Sequence, residues 1–97
     1  MILTVLDGTV APERTNALRD AYANLTNRPR PNGLVRSDLL QSGSDASHWR
    51  LQTLWASREA LDHMRSQGTP GGVLVFRAAG AEPTLTIFDV VSQLDRD

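Results

Sequence analysis

The stretch His48–His63, HWRLQTLWASREALDH, decides the fold because its period changes half-way. Trp49, Leu51, Thr53 and Trp55 alternate with His48, Arg50, Gln52 and Leu54, which is the two-residue repeat of a strand. Ser57 is then placed to cap a helix, and Glu59 puts a carboxylate in its first turn, where the helix dipole favours it. Ala60, Leu61 and Met64 recur at helical spacing. Two tryptophans on one face of the strand make either a heavy core or the wall of a ligand cavity.

Working outward, Ile2 to Val10 reads as a first strand, with Ile2, Leu3, Val5, Leu6 and Val10 apolar. Pro12 and Glu13 suit the opening turn of a helix that runs to about Thr26, with Leu18, Ala21, Tyr22 and Leu25 on one face. Asn27 to Gly33 holds two prolines and a glycine and is a loop. Leu34 to Gln41 reads as a second strand, joined to the third by the turn residues Gln41-Ser42-Gly43-Ser44-Asp45 in an antiparallel hairpin. Gly68 to Gly72 ends the second helix, with Gly71-Gly72 read as a loop or tight turn. Thr84 to Val91 is the last strand, and the tail Ser92 to Asp97 is expected to be polar and frayed. Val73 to Gly80 has strand propensity in Val-Leu-Val-Phe, yet a fifth strand would be surplus, so a short helix or irregular segment is expected.

The resulting order, β-α-β-β-α-β, predicts one α+β domain over residues 1–97: a ferredoxin-like, four-stranded antiparallel sheet with its helices on one face. If the tryptophans face the helices, His48, Arg50, Gln52 and Leu54 lie on the uncovered face, whose mixed character fits an isologous homodimer.

The chain has no cysteine, which excludes disulfides and thiolate chemistry, and His48 and His63 lack the spacing of a metal motif. The net charge of −1 gives no general attraction to nucleic acid. The third strand also lacks the glycine and paired aromatics of an RNA-recognition sheet. No apolar run is long enough to span a membrane, and Asp7 without a basic leader argues against a signal peptide, so a cytoplasmic location is expected. All ten basic residues are arginine, without clustering that points to an anion site.

The chain resembles the antibiotic biosynthesis monooxygenase family, of the dimeric α+β barrel superfamily. The resemblance rests on Pro31-Asn32-Gly33-Leu34, on Trp55 followed by Ser57, Glu59-Ala60-Leu61 and His63, and on Phe76 to Pro83 before the last strand. It implies a homodimer in which each subunit holds a pocket between sheet and helices. It also implies, for some members, oxidation of phenolic or hydroquinone compounds by molecular oxygen without flavin, haem or metal. Quinone-forming members carry Asn four residues before the strand-three Trp; that position is Leu51 here, while Trp55 matches their Trp. Haem-degrading members use an Asn on strand one and a Trp in helix two; strand one has no Asn, and the helix position is Met64.

Two functions follow. One is a cofactor-independent monooxygenase acting on an aromatic, quinol-type small molecule. In it Trp55 packs the ring, His63 or a water takes the proton, and Arg77 holds the anion. Tyr22, Trp49, Leu51 and Met64 then line the pocket. The other is a non-enzymatic dimeric binding or scaffold domain, in which Trp55 is a core anchor, His63 a helix-flank residue and Arg77 the ion-pair partner of Glu82 or Asp89. His48 is read as an interface or surface group.

Overall fold

The computed structural model describes residues 1–94. Its elements are β1 (Ile2–Thr9), a 3-10 turn (Pro12–Arg14), α1 (Thr15–Thr26), β2 (Leu34–Gln41), β3 (His48–Trp55), α2 (Arg58–Ser66), α3 (Gly71–Ala78) and β4 (Thr84–Asp89). The strands form one antiparallel sheet in the order β2-β3-β1-β4, the α+β, ferredoxin-like arrangement expected. Ser57 caps α2 as its position predicts, its Oγ accepting the Ala60 N–H at 3.1 Å. Residues 95–97 of the expected polar tail lie outside the described residues.

Of Val73 to Gly80, the residues to Ala78 prove to be helical and the last two form a turn, and the helix starts earlier than expected. Gly71 and Gly72 form the first turn of α3 instead of a loop, and the Pro70 carbonyl accepts the N–H groups of Val73 and Leu74. The β-propensity of Val-Leu-Val-Phe is overridden by tertiary packing. The segment instead buries Val75 and Phe76 against the sheet.

Register assigns the faces. Ile2, Thr4, Leu6 and Gly8 of β1 stand opposite Trp55, Thr53, Leu51 and Trp49 of β3, and all eight share the helix-covered face. Two apolar clusters fill that face. One joins Leu6, Val10, Leu18, Trp49, Leu51, Val75 and Phe76 under α1 and α3; the other joins Ile2, Trp55 and Leu61 under α2. Phe76 is fully buried and lies over Gly8, where a Cβ would come within 2.7 Å of its ring. A side chain at position 8 would therefore displace the ring that closes this end of the core.

His48, Arg50, Gln52 and Leu54 lie on the opposite face, with Leu3, Val5 and Asp7 of β1 and Phe88 of β4 beside them. Asp7 accepts a hydrogen bond from Arg50 Nε at 2.8 Å, and His48 Nε2 lies 2.8 Å from the same carboxylate. The Arg50 guanidinium is the main cause holding the Asp7 carboxyl below the usual aspartate range, with His48 assisting. Arg36 pairs with Asp38 on the same face at 2.9 Å.

Candidate functional site

Between the two clusters the helices part from the sheet. A cavity of about 490 Å³ opens there, bounded by the end of α1, the loop Asn27–Gly33, β2, β3, the end of α2 and the start of α3. Its size falls within the roughly 300–1,000 Å³ range of small-molecule sites. Leu25, Leu34, Met64 and Leu74 give it apolar walls.

The sheet side carries the polar groups. Tyr22 Oη donates to Ser37 Oγ at 3.2 Å, and Thr53 Oγ1 lies 3.5 Å from the same Ser37 oxygen. Both separations are long for O–H···O bonds, so this strip of three hydroxyls retains capacity for a ligand. Trp55 lies at the end of the strip. Its indole N–H donates to Thr4 Oγ1 at 3.2 Å, and Thr4 in turn contacts the Thr53 carbonyl at 3.4 Å. These bonds fix the plane of the indole. The ring is only 3% exposed, because Ile2 and Leu61 cover the rest, so only a small part of it meets the cavity.

Four residues singled out in the sequence converge on this space: Tyr22, Leu51, Trp55 and Met64. Three do not. Trp49 lies in the closed cluster at 4% exposure, with the Arg19 guanidinium 5.6 Å from its ring centroid. Its distance from the cavity follows from register: Trp49 stands opposite Gly8, where Phe76 fills the space above the sheet. His63 is exposed on α2, since Ala60, Leu61 and Met64 turn inward and a residue two beyond Leu61 points nearly the opposite way. Arg77 is exposed at the end of α3 and donates to Glu82 through Nε and Nη2, at 3.0 and 2.8 Å. Glu82, rather than Asp89, is its partner.

Ser37, Thr53 and the loop arginines Arg28 and Arg30, which carry no motif in the sequence, also line the cavity. Inward alternation on β2 and β3 was the available signal for the two hydroxyls. No Asp, Glu or His is among the lining residues, and no cluster of three potential metal-ligating His, Asp or Glu side chains exists among the described residues.

The first 69 residues match the family model described as antibiotic biosynthesis monooxygenase. This chain belongs to the antibiotic biosynthesis monooxygenase family. Solved structures share its fold at low identity. A candidate antibiotic biosynthesis monooxygenase of Deinococcus radiodurans is 12% identical with a TM-score of 0.77, covering 100% of this chain and 99% of that one. SnoaB, a cofactor-independent oxygenase from Streptomyces nogalater, is 20% identical with a TM-score of 0.65, covering 98% and 97%. Rv0793 from Mycobacterium tuberculosis is 21% identical with a TM-score of 0.69, covering 98% and 100%. No curated protein sequence matches the chain. Among the described residues, no helix of this family member is long and apolar enough to cross a membrane.

Proposed function

We propose that this protein binds a planar aromatic small molecule of phenol or quinol type in the cavity beside Trp55, and oxidises it with molecular oxygen. The observation that carries the reading is the pairing of apolar walls with the Tyr22–Ser37–Thr53 hydroxyl strip in one open space. The walls take a hydrophobic ring system out of water, and the hydroxyls hold its phenolic edge. Family membership and the fold shared with SnoaB support the reaction class.

In such a reaction the ionised substrate supplies the electrons. A ring CH₂ flanked by aromatic rings reacts with O₂ to give C=O and H₂O, so one oxygen atom enters the product and the other leaves as water. The protein's task is to orient the ring, favour the phenolate or carbanion, and exclude bulk water. With no carboxylate or imidazole among the described residues lining the cavity, the proton passes to water at the mouth.

That missing base favours a second reading, a binding domain that holds the aromatic molecule without reaction. Oxygen-electrode traces with a panel of anthrones and hydroquinones separate the two. Protein-dependent oxygen uptake with quinone formation is expected; tight binding of the same compounds with uptake at the buffer rate leaves the binding domain.

The working unit is proposed to be a homodimer closed through the outer sheet face. That face exposes Leu40 at 41% and Phe88 at 50%, beside the Asp7–Arg50–His48 and Arg36–Asp38 clusters. An apolar surface interrupted by charge pairs suits a self-complementary contact. Light scattering at micromolar concentration is expected to give twice the chain mass; a clean monomer mass removes this part of the proposal.

A further inference from the structure

Two arginines of the loop after α1 border the cavity. They are Arg28 and Arg30, and no acidic residue among the described residues lines the cavity against them. The Arg36 side chain points to the opposite sheet face, where it pairs with Asp38, and is no part of this charge. Arg28 and Arg30 make no side-chain ion pair among the described residues. The loop that carries them is stiffened by Pro29 and Pro31 and tied at both ends, through Arg28 N–H to the Leu25 carbonyl at 3.1 Å and Leu34 N–H to the Pro31 carbonyl at 3.2 Å. Two guanidinium groups are thus held on a short, restrained segment beside an apolar cavity.

We infer that the ligand of this cavity is an aromatic carboxylate, its ring system seated against the apolar walls and its carboxylate held at the mouth by Arg28 and Arg30. The inference rests on the reading of the cavity as an aromatic-binding site. The guanidinium fork matches the two oxygens of a carboxylate, and its bonds to an anion are stronger than those to a neutral hydroxyl. An apolar site flanked by uncompensated cations selects a molecule with the same division: hydrophobic over most of its length, anionic at one end. The hydroxyl strip reads phenolic groups on the ring, so charge recognition and ring recognition fall to different residues.

Calorimetric titration with anthracene-2-carboxylate and its uncharged analogue 2-(hydroxymethyl)anthracene tests this directly. The carboxylate is expected to bind about tenfold more tightly at low salt, with the difference shrinking as salt is raised. In the Arg28→Ala/Arg30→Ala double variant, with its fold checked by circular dichroism, the carboxylate's advantage is expected to vanish while the alcohol's affinity stays the same. Equal affinities in the wild type, or an advantage that survives in the double variant, overturn the carboxylate assignment and leave the aromatic site standing. Failure of both probes to bind overturns the aromatic site, and the carboxylate assignment with it.

Discussion

β3 carries a tryptophan at each end, and the two ends of the molecule use them differently. At the Trp49 end, α1 and α3 lie down on the sheet and Phe76 fills the space over Gly8. The indole N–H of Trp49 is buried there with no acceptor, and Arg19 sits by the ring. At the Trp55 end the indole N–H is bonded to Thr4, and the sheet beside it carries Thr53 and Ser37 under a space that no helix fills. The closed end tolerates an unpaired polar atom in exchange for dense packing. The open end gives its indole N–H a partner and keeps its volume empty. Leu51 belongs to both, packing in the closed cluster and lining the cavity.

The largest effect is expected where the closed end is opened. Phe76→Ala should cost about 3–5 kcal/mol, the usual range for an aromatic side chain removed from a core, measured by urea denaturation. Gly8→Ala alone should cost about 1–3 kcal/mol, because its methyl meets the Phe76 ring. In the double variant the second cost should disappear, since the new methyl enters the space the ring has left. Additive costs would show that Phe76 is not what closes this end.

At the open end the expected order reverses, with little lost in stability and more in binding. Tyr22→Phe removes the hydroxyl that donates to Ser37. Its cost in stability should stay within about 1 kcal/mol. Affinity for a hydroxylated probe such as 2-hydroxyanthraquinone should fall about five- to tenfold, read by titration calorimetry. A large stability loss with unchanged affinity would make the open end an ordinary core.

The smallest effect concerns the sheet's other face, below the closed end. Asp7 has a depressed pKa, chiefly through its bond to Arg50. Its contribution to stability is therefore complete above the unfolded aspartate value of about 3.9 and is lost as pH falls through the lower folded value. Asp7→Asn should flatten the acid limb of the stability curve below about pH 4, by no more than about 1 kcal/mol because the pair is part-exposed. Identical acid limbs in the two proteins would remove Asp7 from the account.

The sequence was most legible where local chemistry decides. Ser57 as a cap, the β2–β3 hairpin and the alternation along β3 depend on neighbours within a few residues. Of the site, Tyr22, Leu51, Trp55 and Met64 were readable as inward-facing apolar or aromatic groups. Trp49 belonged to the same alternation, and nothing within β3 distinguishes its end from that of Trp55. His63 and Arg77 stood out through what their side chains can do chemically, but helix phase and the Glu82 ion pair place both at the surface.

By itself, then, the amino-acid order determined every element but α3, their antiparallel arrangement and which strand residues share a face, because two- and 3.6-residue periods are written locally. Tertiary packing alone decided which end of that face is filled. α3 packs as a helix on the sheet, and Phe76 then occupies the space over Gly8. The same packing leaves the space by Trp55 open and sets the loop of Arg28 and Arg30 at its edge. Empty volume is a property of three-dimensional arrangement, set by contacts between segments far apart in the chain, and no local pattern encodes it.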